Sequence, residues 1–106
     1  MNDIVKLRKQ GKFYTAYEDD ALALSEITGY RVVNGRLGFP VNSLGKVSEL
    51  LNDSKVNYKI IEKDKEIDKM IFPKNNYNKY LKLVHQPHAM VEYVMAMLYL
   101  KQQIGI

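Results

Sequence analysis

The chain has 106 residues, a net charge of +4, 46% apolar residues and no cysteine. That length fits one domain with a single core. The composition excludes a disulfide framework and thiolate chemistry, and the charge is too mild to define a partner by itself.

Met1 to Gln10 holds no apolar core of signal-peptide length. The most apolar run, Tyr93 to Leu100, is eight residues, too short to span a bilayer. A soluble cytoplasmic protein with no membrane contact is the expectation. The charge is unevenly spread: residues 1–16 carry four basic and one acidic side chain, and residues 17–29 four acidic and no basic ones. Residues 30–60 carry five basic against two acidic, and residues 61–74 carry four of each. The positive excess brackets the first hairpin and the middle of the chain, a distribution that favours phosphate. A lysine-rich solvated surface gives the same pattern.

Ile4 to Arg8 alternates apolar and basic residues and reads as a strand, with Val5 and Leu7 on one face. Lys9 to Lys12 is a turn, Gly11 supplying the permissive backbone. Phe13 to Tyr17 returns as an aromatic strand. Tyr14 and Ala16 share one of its faces, and Phe13, Thr15 and Tyr17 the other. The alternation leaves open which face is buried. Asp19 to Thr28 reads as a helix capped by Asp19 or Asp20, with Ala21, Ala23, Leu24 and Ile27 as its apolar side and Gly29 as its stop.

Asn34-Gly35 lies between Tyr30-Arg31-Val32-Val33 and Arg36-Leu37-Gly38-Phe39, the strongest short signal for a second hairpin. Pro40 ends its second strand or marks an edge. Asn42 or Ser43 caps a second helix, with Leu44, Val47, Leu50 and Leu51 on one side. Val56, Tyr58 and Ile60 alternate with polar residues as a further strand. Lys63 to Lys69 reads as a solvated loop or short helix, with Ile67, Met70 and Ile71 as its buried side. The C-terminal third is expected to be helical. Tyr77, Tyr80, Leu81 and Val84 fall at helical spacing, Pro87 breaks or restarts the helix, and only Glu92 is charged from Ala89 to Leu100. The fold expected is α/β: a mixed sheet of about five strands with flanking helices and a helical C-terminal extension, all in one domain over residues 1–106.

Two motifs in order, Gly11-Lys12-Phe13-Tyr14 with Asp19-Asp20-Ala21, and Gly38-Phe39-Pro40 with the helix and strand that follow, carry a resemblance. The first is similar to the Gly-x-Phe-Tyr-Glu segment and acidic helix start of the N-terminal, mismatch-recognising domain of MutS DNA mismatch repair proteins. The second is similar to the same domain's Gly-x-Pro segment, with Val41 to Asn52 and Tyr58 to Glu62 as the next helix and strand. The resemblance covers roughly residues 4 to 65 and has no counterpart over 66–106. The chain carries no Walker motif or other repair domain, and the distinct tail favours a free-standing relative over a fragment.

The resemblance implies a non-enzymatic module that contacts mismatched or distorted duplex DNA, with Phe13 as a wedge. Unstacking a base step costs roughly a few kcal/mol and less where pairing is already broken, so a wedge selects weak steps. The family's glutamate is replaced by Thr15, whose hydroxyl donates or accepts but is shorter and uncharged. Around Phe13, Lys6, Arg8, Lys9 and Lys12 provide charge for phosphate, and Arg31 and Arg36 flank the second turn. Lysines on edge strands also serve to block aggregation.

The alternative is a protein-interaction or structural module that keeps the fold and has lost mismatch recognition. The apolar C-terminal helix would then pair two chains as a homodimer or dock on a partner. No catalytic constellation is arguable. His85 and His88 fall short of the three or four ligands of a metal site, and Gly45-Lys46 lacks the spaced glycine and hydroxyl residue of a phosphate loop. No metal or cofactor is expected.

Overall fold

A computed structural model describes residues 3–85 of the chain. The described residues form β1 (Val5–Gln10), β2 (Phe13–Tyr17), α1 (Glu18–Thr28), β3 (Arg36–Pro40), a 3-10 turn (Val41–Ser43), α2 (Leu44–Ser54), β4 (Tyr58–Glu62), β5 (Lys65–Met70) and α3 (Tyr77–His85). The strands make one five-stranded sheet in the order β3-β2-β1-β4-β5. It is mixed: β1 runs parallel to β4, and all other neighbours are antiparallel. The expected α/β class and strand number are those observed.

The period-two alternation of β1 to β4 aims one set of side chains at the helices. Val5, Leu7, Tyr14, Ala16, Leu37, Phe39, Tyr58 and Ile60 are buried with Ala21, Ala23 and Leu24 of α1, Val47 and Leu51 of α2, and Tyr77 of α3. Tyr14 and Phe39 stack with ring centroids 5.8 Å apart across the β2–β3 pair. This decides the question left open for β2: Tyr14 and Ala16 face the core, and Phe13, Thr15 and Tyr17 face away. Such burial contributes roughly 1.5–3 kcal/mol per large apolar side chain.

Four local expectations are corrected. Residues Tyr30 to Val33 make no strand; only the single bridge Val33–Arg36 survives. Asn34 and Gly35 do form the expected two-residue turn, with φ of 52° and 75°. Other partners take the backbone before it: Ser25 Oγ donates to the Tyr30 carbonyl, and the Tyr30 N–H donates to Thr28 Oγ1. The Tyr30 ring packs 6.3 Å from Phe39, and β3 pairs with β2 instead.

The segment after β4 is a strand rather than a loop or short helix. Lys63 and Asp64 both take positive φ, 51° and 61°, and close a tight hairpin without glycine. No helix among the described residues covers β5, so Ile67, Met70 and Ile71 are exposed rather than buried.

The two helix starts also differ. α1 begins at Glu18 with no side-chain cap, and Asp20 faces the sheet instead, accepting from the Lys6 N–H at 3.1 Å and from the Tyr77 hydroxyl. The acids still sit in the first turn, where the helix dipole favours them. Ser43 does occupy the N-cap position of α2, but its side chain makes no capping bond, and both it and Asn42 belong to the 3-10 turn.

α3 is fastened by asparagines rather than by grease alone. Asn75 Oδ1 accepts from the N–H groups of Asn57, at 2.9 Å, and Tyr77, at 3.2 Å, while its Nδ2 donates to the Asp3 carbonyl. Asn57 Oδ1 accepts from the Phe72 N–H at 2.7 Å. No helix among the described residues is long and apolar enough to cross a membrane. The expected helix over Ala89–Leu100, with Pro87 and His88, lies outside the described residues.

Candidate nucleic-acid interface

Period two and the strand registers build this site. On the face turned away from the helices, β1 contributes Lys6, Arg8 and Gln10, β2 contributes Phe13, Thr15 and Tyr17, and β3 contributes Arg36, Gly38 and Pro40. Cross-strand pairing aligns them in rows. Arg8, Thr15 and Gly38 form one row, and Gln10, Phe13 and Pro40 the next. No helix among the described residues lies over this face.

Phe13 is 52% exposed, a large ring left in solvent one residue beyond the Gly11-Lys12 turn. Gly11 takes φ 62°, which lets the two strands close tightly and holds Phe13 opposite Gln10. Thr15 on the same face is 7% exposed. Tyr17 lies on the same face. Its hydroxyl donates to Gln10 Oε1 at 2.9 Å, so the two side chains reach toward one another across the row that holds Thr15.

Between these side chains runs a groove of about 440 Å³, lined by Gln10, Phe13, Thr15, Arg31, Val33, Arg36 and Gly38. Its floor is Thr15 and the bare backbone of Gly38. Phe13 and Gln10 share one row, Arg36 stands two rows away opposite Tyr17, and Arg31 lines the groove from beside Gly38, Phe39 and Pro40. No carboxylate lines it. Among the described residues neither arginine is in an ion pair. The arrangement offers a ring for stacking and two forked cations for an anion within one recess.

The expected site residues divide. Phe13, Thr15, Arg31 and Arg36 line the groove, with Lys6 and Arg8 on the same face beside it. Lys12 sits at the turn tip, exposed, its carbonyl accepting from the Val41 N–H at 3.0 Å. Lys9 lies on the opposite face, where its Nζ is 3.4 Å from Glu62. That carboxylate also accepts from the Tyr14 hydroxyl, which burial, and then the charge of Glu62, push above its ordinary range. Strand parity is the reason: Lys9 follows Arg8 by one residue and points the other way. Lys59, on the groove's face, is 3.9 Å from Glu66, so the free positive charge lies toward β1 to β3.

Gln10, Val33 and Gly38 were not singled out from sequence as site residues. For Gln10 and Gly38 the signal was available in the alternation, since each lies at even spacing from Arg8 or Arg36. Val33 joins the groove through the Asn34-Gly35 turn, which no periodicity encodes. No group of three or more acidic or histidine side chains among the described residues is placed to hold a metal ion. No family model matches the chain, and no curated protein matches it.

Proposed function

We propose that this chain is a non-enzymatic DNA-binding module, similar in its mode of contact to the MutS mismatch-recognition domain. Its contact surface is the open sheet face around Phe13. One observation carries the reading: a half-exposed phenylalanine stands on a face whose neighbours are Lys6, Arg8, Arg31 and Arg36, beside a groove without a carboxylate. A ring exposed to water is unfavourable unless something stacks on it, and bases beside phosphates supply both needed contacts. Phe13 occupies the position of the family's wedge. Thr15 is mostly covered, so a base contact there is restricted to its hydroxyl, and the wedge would select distorted steps more than base identity.

The test is binding of the purified protein to matched, mismatched and single-stranded DNA across a salt series, with Phe13→Ala alongside. Binding that weakens with salt and that Phe13→Ala reduces by about five- to 150-fold is expected, since one stacked base is worth roughly 1–3 kcal/mol. Absence of binding at low salt, or a Phe13→Ala variant that binds as well as the parent, would overturn it.

A protein-interaction module is the second reading, and β5 favours it. This edge strand and the residue that follows it leave Ile67 and Ile71 each 54% exposed, with Met70 between them. An uncovered edge with apolar side chains is a surface for pairing with another chain.

A further inference from the structure

We infer that the outer edge of β3, at Gly38, takes an extended peptide whose residues alternate between apolar and acidic. In an antiparallel pair, successive residues turn their N–H and C=O groups alternately toward the partner strand and away from it. Two sets of bonds fix which residues do which in β3. Arg36 exchanges both its backbone bonds with Val33, on the side away from β2. The Val41 N–H donates to the Lys12 carbonyl, on the side of β2. Leu37 and Phe39 therefore bond to β2, and Gly38 and Pro40 turn outward. On that outer side the Gly38 N–H and C=O and the Pro40 C=O have no backbone partner among the described residues. The preceding segment explains why this edge is open. Continued by two residues, the Val33–Arg36 bridge would set Arg31 against Gly38. Ser25 and Thr28 hold the Tyr30 backbone instead, so the pairing stops at Val33. A recess of about 340 Å³ lies there, lined by Tyr30, Arg31, Gly38, Phe39 and Pro40.

The walls define the occupant. Unpaired donors and acceptors along a sheet edge are met by another extended backbone, whose alternate side chains point to opposite faces. On the helix side those side chains meet the Tyr30 and Phe39 rings, whose centroids are 6.3 Å apart. On the other side they meet the face that carries Arg36, and Arg31 lines the recess itself. No carboxylate lines the recess, and among the described residues neither arginine is in an ion pair. Apolar residues thus suit one face of the added strand and acids the other. A second copy of β3 would set arginine against arginine, so the partner is a different, acidic chain. The site goes beyond the nucleic-acid surface, since Phe13 does not line it.

The experiment titrates a capped peptide, Thr-Val-Glu-Val-Glu-Val-Thr, into the isotope-labelled full chain at low salt and follows amide hydrogen exchange by NMR. At saturation the Gly38 N–H should exchange about tenfold more slowly, while those of Leu37 and Phe39, already bonded to β2, change little. Two N-methylated peptides test the backbone pairing. Methyl groups on one set of alternate residues should weaken binding by about tenfold, and on the other set by less than about twofold. Arg31→Gln should weaken binding by about two- to fivefold, the worth of an exposed ion pair, and Phe13→Ala should leave it unchanged. Absence of binding at about 1 mM peptide overturns the edge site, as does Gly38 exchange that peptide leaves unaltered. Two methylated sets that behave alike, or a loss of peptide binding in Phe13→Ala, overturn it as well, since charge on the open face then suffices. The nucleic-acid reading stands or falls separately, on the DNA titration.

Discussion

The hydroxyl of Tyr77 donates to the carboxylate of Asp20, and the same carboxylate accepts the backbone N–H of Lys6 at 3.1 Å. One acidic side chain thus joins α3, α1 and β1 at a partly buried point. Tyr77 itself is 4% exposed and belongs to the core. The first turn of α1 is thereby held to the sheet at the strand that carries Lys6 and Arg8 on its other face.

Removing the donor alone should weaken this junction. Tyr77→Phe keeps the ring in the core and leaves the Asp20 carboxylate with one hydrogen bond fewer. The expected cost is about 1.5–3 kcal/mol at neutral pH, in line with the loss of one hydrogen bond to a charged group. The midpoint of urea unfolding measures it, and an unchanged slope would show that the compactness of both states is preserved. An unchanged midpoint would mean that the bond contributes nothing.

The same pair gives stability a pH dependence of definite sign. Burial raises the Asp20 carboxyl above its ordinary 3.8, outweighing the opposing hydrogen bonds from Tyr77 and Lys6. The folded state therefore holds this proton more tightly than the unfolded chain. Its contribution is fully present below pH 3.8 and is lost as pH rises through the raised folded value. Burial, and then the bond to Asp20, raise the Tyr77 hydroxyl above its ordinary 10.0, so its contribution is present below pH 10.0 and lost at higher pH. Unfolding curves of the parent and Asp20→Asn should diverge across the first window. Those of the parent and Tyr77→Phe should converge on passing through the second. Parallel profiles in either window would contradict the assignment.

Two phenylalanines separate core from surface. Phe39 is 1% exposed and stacks on Tyr14, whereas Phe13 is 52% exposed. Phe39→Ala should cost about 3–5 kcal/mol through lost burial and the cavity left behind. Phe13→Ala should cost less than about 1 kcal/mol, since much of its surface is already in water. Chemical denaturation of both variants checks this. A large loss for Phe13→Ala would mean that its ring supports the sheet, and would weaken its reading as a contact residue.

Gly38 gives the opposite expectation. Gly38→Val should raise stability by about 0.5–1 kcal/mol, because a strand interior favours a side chain over glycine and the nearest atoms lie 3.8 Å from the new Cβ. A rise in melting temperature checks it. A fall would mean that the side chain collides further out, and that the recess is narrower than its lining implies.

Much of the fold was legible along the chain. The alternation of Val5 and Leu7, of Tyr14 and Ala16, and of Tyr58 and Ile60 marked the strands, Gly29 marked the end of α1, and Asn34-Gly35 marked a turn. The second hairpin misled, because a turn signal shows where the chain reverses and not which strand the returning segment joins. Ser25 and Thr28 claimed the Tyr30 backbone, and that competition is tertiary. The β5 strand was obscured for a related reason. Its residues are exposed on both faces, so no hydrophobic period marks it, and it exists by pairing with β4. The basic cluster was legible as a set of residue types and not as a surface, since Lys9 and Arg8 are neighbours in sequence and lie on opposite faces.

By itself the sequence determined the local periods, the turns at Gly11 and Asn34-Gly35, and the α/β class, because these depend on neighbours a few residues apart. Only the tertiary structure decided that Tyr14 is buried and Phe13 is not, that Asp20 reaches Tyr77 rather than capping its own helix, and that Gly38 lies beside Thr15 at the floor of a groove. Each of those is a pairing between distant segments, set by which sheet face the helices cover and by the register of β2 on β3, and local propensity is indifferent to both.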